Sequence, residues 1–280
     1  MSHDHGRRRY LLAKRSVDAR ARDRRVRDAM LDALVPEPRV FEAGPGAGLG
    51  ALDLREWGVT PSSYRGVDAD PGVAAFAARL LPRAFARAGY DANPVEGGCR
   101  IGDTTYRFEA GDAVAALPGA GADLVVAQSF LDLVERDRVL DAVAAGLSPG
   151  GVAYAPLTFD GVTLFQPSHP EDDAVAERYH DAIDAAPGRD ARAGRHVLDA
   201  LRRRGDEVLA VGASDWIVRP ANGGYPADER RFLDRILDFV AAAVDRDDWV
   251  ATRREQVEAG DLLYVAHGYD LLWRPGGDGP

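Results

Sequence analysis

One cysteine, one lysine and two methionines are all that the 280 residues hold of those three types. With Cys99 alone, no intramolecular disulfide can form, and a structural zinc site built from several thiolates is excluded. No stretch approaches the roughly 18 apolar residues of a membrane span. The opening MSHDHGRRRY is positively charged but has no apolar run behind it, unlike a secretory leader. These absences predict a soluble, cytoplasmic protein with no membrane partner. Repeats, low-complexity tracts and linkers are also missing. One α/β domain with embellishments is therefore expected from a chain that is 46% hydrophobic.

Arginine replaces lysine almost everywhere, Lys14 being the exception, and aspartate greatly outnumbers glutamate. The pattern suits a high-GC genome, and the acidic surplus hints at a salt-loving, halophilic source. A net charge of -10 argues against broad nucleic-acid affinity, which depends on neutralising phosphates. The basic charge is nevertheless concentrated at Arg20, Arg22, Arg24, Arg25 and Arg27. Two readings stand for that cluster: a solvated face paired with Asp18, Asp23, Asp28 and Asp32, or an anion-binding face.

Residues 1–34 read as an N-terminal helical segment. Leu11, Leu12, Val17, Val26, Met30, Leu31 and Leu34 recur at helical spacing, Ser16 is a candidate N-cap, and VPEP is the stop. From Arg39 a rhythm of short apolar run, turn and helix sets in. RVFEAG, YRGVDAD, YRFEAGDA, ADLVVAQSF and GGVAYAPLTF are strand candidates separated by helical stretches. Such alternation predicts a doubly wound parallel sheet with helices on both faces. Residues 160–194 break the rhythm and read as an insertion over the active-site face. Helix and strand patterns resume in DEVLAVGASDWIVRP, and residues 221–275 supply C-terminal helical character and a closing strand.

The stretch VFEAGPGAGLG, residues 40–50, ends a strand in a glycine turn and opens a helix, which sets backbone N–H groups at a ligand-binding edge. Counted from Gly46, the dinucleotide spacing gives Gly46, Gly48 and Ala51, a permitted variant. An NADP-binding dehydrogenase-like or regulatory module is thus one reading. Glu42 points elsewhere, because a carboxylate over the turn repels a pyrophosphate and suits a ligand with a cationic amino-acid tail.

VFEAGPGAG resembles, position by position, the first motif of the class I S-adenosylmethionine-dependent methyltransferases. Asp68, ending the second strand, occupies the family's place for the acid that takes both ribose hydroxyls. Asp112 and Ala113 in EAGDA match the adenine-facing pair, and ADLVVAQSF resembles the fourth strand, with Gln128 at its end. The resemblance covers residues 35–159 and thins beyond. It implies a Rossmann-like, seven-stranded methyltransferase domain over residues 35–280, with S-adenosyl-L-methionine as cofactor. The implied cofactor residues are Glu42, Gly44, Pro45, Gly46, Gly48, Asp68, Ala69, Asp112, Ala113 and Gln128. Alternatives remain open at single positions: a plain tight turn for the glycines, helix capping for Asp68 (with Asp70 the better cap) and for Asp112.

Methyl transfer from a sulfonium needs alignment and exclusion of water, and a hydroxyl or protonated amine acceptor also needs a base. Candidates come from the fourth-strand end and the insertion: Gln128, Ser129, Asp132, Phe165, Gln166, His169, Tyr179 and His180. Asp215, Trp216 and His267 follow from the late strands. Asp132, His169 and His267 are the catalytic candidates carried forward, and no metal is called for. The tetrad of N6-adenine methyltransferases is replaced by AQSF, and Cys99 lies too far upstream for cytosine C5 chemistry. A small-molecule O- or N-methyltransferase is the leading expectation. The rival is an RNA or protein methyltransferase that docks through the arginine-rich helix.

Overall fold

The computed structural model describes residues 8–276. Its strands are β1 (Arg39–Ala43), β2 (Ser63–Asp68), β3 (Asn93–Val95), β4 (Gly98–Ile101) and β5 (Thr104–Ala110), then β6 (Ala122–Val126), β7 (Leu147–Gln166), β8 (Glu207–Ala213), β9 (Trp216–Val218) and β10 (Leu263–Arg274). They form one sheet in the order β3-β4-β5-β2-β1-β6-β7-β10-β8, with β9 alongside β10. The middle, β5-β2-β1-β6-β7, is parallel. Both ends of the sheet are antiparallel.

The seven expected strands are present, and three more join them. The late segment expected as one strand breaks into β8 and β9, and the hairpin β3–β4 was not anticipated. Two-residue loops make that hairpin and its link to β5: Val95 pairs Gly98 across Glu96-Gly97, and Ile101 pairs Thr104 across Gly102-Asp103. Gly98 cannot carry a side chain, since a Cβ there would sit 1.9 Å from the Tyr106 carbonyl oxygen.

The predicted N-terminal helix is three helices, α1 (Arg8–Ala13), α2 (Arg15–Ala21) and α3 (Arg24–Ala33). Asp23 causes the second break: its carboxylate accepts from the N–H groups of Arg25 and Val26 and so starts a new helix. Ser16 is no cap. Its hydroxyl donates instead to the buried Glu229, 2.9 Å away.

Helices α4 (Gly50–Glu56) and α5 (Pro71–Arg87) follow β1 and β2, while α6 (Ala113–Ala116) and α7 (Arg136–Gly146) follow β5 and β6. One apolar layer packs α6, α7 and α9 (Ala193–Arg204) on one face of the sheet, and a second packs α3, α4 and α5 on the other. The segment expected as an insertion begins as strand, because β7 continues to Gln166 against β10 before α8 (Asp172–Asp184) leaves the sheet. A third apolar cluster lies under α8, α10 (Glu229–Ala243) and α11 (Asp247–Ala259) and includes Tyr10, Ala13 and Val17 of α1 and α2. That cluster anchors the N-terminal helices over the ends of β1 and β6. Among the described residues, no helix is long and apolar enough to cross a membrane.

Candidate active site

β1 lies at the centre of the sheet, and Val40, Phe41 and Ala43 bury their side chains as a doubly covered strand requires. Glu42 is buried among them at 4% exposure. Its Oε2 accepts a hydrogen bond from the Tyr64 hydroxyl of β2. Burial pushes its carboxyl up to about 7, against the opposing pull of that hydrogen bond. Gly50, which opens α4, is the reason the carboxylate fits: a Cβ there would come within 2.6 Å of Glu42 Oε1.

The turn after β1 places Gly44, Gly46 and Gly48 at positive φ, +66°, +55° and +72°, a region where glycine alone is unstrained. Gly44 leaves room for Phe130, 2.7 Å from where its Cβ would be. Gly48 serves the packing behind the turn instead, with Phe108 2.7 Å and Ala77 2.9 Å from the same point. Asp68, at the end of β2, turns toward the loop. Its Oδ2 accepts the Gly46 N–H at 3.2 Å and its Oδ1 the Asp70 N–H at 3.0 Å. Capping of α5 falls to Asp70, which accepts from Gly72 at 2.7 Å and Val73 at 3.3 Å, so Asp68 keeps one lone pair on each oxygen for a ligand.

These groups line a cavity of about 720 Å3 at the carboxyl ends of β1, β2 and β6, within the usual range for small-molecule sites and at the sheet edge where doubly wound folds bind ligands. Glu42, Gly44, Pro45, Gly46, Asp68, Ala69, Gln128 and Asp132 all line it, as do Ser129, Phe130 and Trp216. Ser129 holds the left-handed backbone, φ 48°, a strain of about 1–3 kcal/mol that the surrounding structure must hold in place. Its hydroxyl accepts from Lys14 Nζ at 3.1 Å.

The N-terminal helices close the other side. Lys14 pairs Asp18 at 3.3 Å and lies over the Trp216 ring. Arg22 pairs Asp53 at 2.8 Å and donates to Gln128 Oε1 at 2.8 and 3.1 Å, while the Gln128 amide donates to Asp18 at 3.2 Å. Asp132 follows β6 in a single 3-10 turn, Leu131–Leu133. Its Oδ1 is shut off from solvent with no hydrogen-bond partner, and burial raises its carboxyl to about 6. A buried carboxylate beside developing positive charge can accept a proton.

Five expected site residues lie outside this lining, Gly48 among them because it packs behind the turn. Asp112 caps α6, accepting from Val114 at 2.9 Å, and its other oxygen takes Arg138 at 2.6 Å; the Arg138 contact holds its carboxyl below the usual range. Ala113 is buried at the start of that helix. His169 is used locally: its N–H donates to Asp172 at 2.8 Å and its Nδ1 accepts from Glu171 at 3.2 Å. His267 sits where β10 shifts register, its Nδ1 2.6 Å from Asp215. Both histidines and Asp112 thus lie outside the cavity lining, each held by a partner close to it.

Comparison with solved structures bears on the architecture. A candidate methyltransferase of Bacillus halodurans C-125 superposes with a TM-score of 0.53 over 90% of this chain and 99% of its own, at 15% identity. The chain shares that protein's fold. A geranyl diphosphate C-methyltransferase of Streptomyces coelicolor A3(2), solved with S-adenosyl-L-homocysteine, aligns over 89% of this chain and 78% of its own, at 13% identity and a TM-score of 0.46. Among curated proteins, Gene 32 protein of Mycobacterium phage D29 is 33% identical over 104 residues, 35% of this chain and 47% of that protein. The match thus spans under half of that relative. No family model matches the chain.

In this fold the cavity wall that sequence reasoning missed comes from outside the Rossmann-like core. Tyr10, Lys14, Asp18 and Arg22 descend from α1 and α2, and Arg189 from the loop before α9. Strand and motif patterns carry no information on which helix folds back over the sheet edge. The one available signal was charge: Lys14 and Asp18 are an i, i+4 pair on an otherwise arginine-rich segment.

Proposed function

We propose that this chain is an S-adenosylmethionine-dependent methyltransferase that acts on an O or N atom of a small molecule. The observation that carries the reading is the placement of Glu42 and Asp68 at the ends of adjacent parallel strands, on either side of the Gly44–Gly48 turn, in one cavity.

The residues present fit the cofactor. Asp68 keeps an acceptor site on each carboxylate oxygen for vicinal ribose hydroxyls. Glu42, buried and raised, becomes a counter-charge for an ammonium group once ionised. Lys14, Arg15 and Arg22 line the same side, each sharing its charge with Asp18 or Asp53 and keeping further N–H donors for an amino-acid carboxylate. When bound, the cofactor supplies a methyl group activated by its sulfonium.

Everything else falls to the chain. The glycine turn and Phe130 fix the donor end, the N-terminal helices and Trp216 exclude water, and Asp132 takes the acceptor's proton. With the cofactor bound, an acceptor lone pair would form the new bond to carbon and the sulfur would keep the old bonding pair, so no redox partner would be required. Alignment of this kind can lower a barrier by roughly 7–11 kcal/mol.

Titration calorimetry with S-adenosylmethionine, S-adenosylhomocysteine and NADP tests the reading. The two sulfur ligands should bind and NADP should not, and Asp68→Ala should weaken S-adenosylhomocysteine by about 10- to 100-fold, the worth of charge-assisted hydrogen bonds. Binding of NADP alone would overturn it.

A further inference from the structure

The cations around the cavity are not equivalent. Lys14 is paired with Asp18, and Arg15 and Arg22 with Asp53. Arg189 lines the same cavity with no carboxylate at ion-pair distance among the described residues. Its loop is nonetheless held in place. The Arg189 N–H donates to the Ala186 carbonyl at 3.1 Å and the Asp190 N–H to the Asp132 carbonyl at 3.2 Å. Gly188, at φ +74°, lies so close that a Cβ would be 3.2 Å from the Glu135 nitrogen. A guanidinium is therefore carried on a pinned loop beside the turn that bears Asp132, whose Oδ1 is buried without a partner. Phe130, Leu133, Val134 and Trp216 supply apolar wall in the same cavity.

We propose that the acceptor is a small monoanion with an apolar or aromatic body, its carboxylate held by the Arg189 guanidinium and its hydroxyl or amine presented to Asp132. This rests on the methyltransferase reading and names the substrate class for that site. A planar guanidinium takes a carboxylate through two parallel N–H bonds, which fixes orientation as well as affinity. One unpaired cation balances one negative charge. A dianionic phosphate would face Asp18, Asp68 and Asp132 in the same cavity with no second unpaired cation, so a carboxylate is the better match.

The test uses the full chain saturated with S-adenosylhomocysteine, titrated with para-hydroxybenzoate and indole acetate and with the neutral amide of each. At least one acid should bind about tenfold or more tightly than its amide, the worth of a charged hydrogen-bond pair. Arg189→Gln should erase that difference while S-adenosylhomocysteine affinity and melting temperature stay as in the parent chain. Arg189→Lys should restore part of the preference, since it keeps the charge but not the fork. Equal binding of acid and amide, or of neither, overturns the proposal, as does a preference that survives Arg189→Gln. A large loss of S-adenosylhomocysteine affinity in Arg189→Gln also overturns it, by assigning the guanidinium to the cofactor's own carboxylate. If the parent chain binds no S-adenosylhomocysteine at all, the methyltransferase reading itself has failed, a result distinguishable from the others.

Discussion

Glu42 and Asp132 are carboxyls that burial holds protonated well above the usual carboxylate range, to about 7 and about 6. Their functional consequences differ in sign. Asp132 must lose its proton to act as a base, so kcat/KM should rise with pH through about 6 and then level off. Asp132→Asn should remove that limb and lower kcat by about 100- to 10,000-fold, as loss of a general base does. Glu42 governs stability and cofactor affinity. Between its ordinary value and about 7, the folded chain keeps a proton that the unfolded chain has released. The stabilising contribution is therefore full at low pH and is lost as pH rises through that window. In the parent chain S-adenosylhomocysteine should bind more tightly as pH rises through about 7, because an ammonium ligand favours the ionised form. Glu42→Gln should reduce the slope of the melting-temperature profile near pH 7, leaving the part due to Asp132 and Asp270, and should flatten the affinity profile there. At this scale the sequence was informative where a residue's strand end fixed its direction, as with Glu42 and Asp68. It left alternatives open where a side chain had a local backbone partner, as with Asp112 on α6 and His169 beside Asp172.

The turn from β1 into α4 works only because Gly50 leaves space for Glu42. Gly50→Ala should overpack that contact and cost about 1–3 kcal/mol in urea unfolding, without the φ penalty that the turn glycines would incur. The helix–strand alternation from residue 39 to residue 159 could be read because each parallel strand carries a short apolar run bounded by turns. The β3–β4 hairpin could also have been read: Glu96-Gly97 and Gly102-Asp103 are two-residue loops of the kind that join hairpin strands. Its strands are too short, and Pro94 too unusual in a strand, for periodicity alone to reveal them. Segmentation of the N-terminal helix was legible only in retrospect, through the capping geometry of Asp23.

For the whole molecule, the charge surplus and the disposition of the arginines bear on the rival substrate. Arg20 is tied to buried Glu229 and Arg22 to Asp53. The groove that gathers Arg15, Arg22, Arg24 and Arg27 also contains Asp23, Asp53, Glu56 and Asp228. A face so neutralised should release few counterions, and binding of single-stranded RNA at low salt should be undetectable in a filter or anisotropy assay. Tight, salt-dependent binding would restore the nucleic-acid reading. The same N-terminal helices join the cofactor cavity to the apolar cluster under α10 and α11, a connection that no local pattern announces. Leu11 of α1 lies over Gly46, 3.3 Å from where its Cβ would be, and Arg8 stacks on Phe76 of α5. A six-residue helix has little stability of its own, so α1 persists by these contacts, and on the proposed function release of the spent cofactor is expected to require that they break. Turnover would then be paced by product release, and kcat should fall as solvent viscosity is raised while a single methyl transfer in the closed site does not.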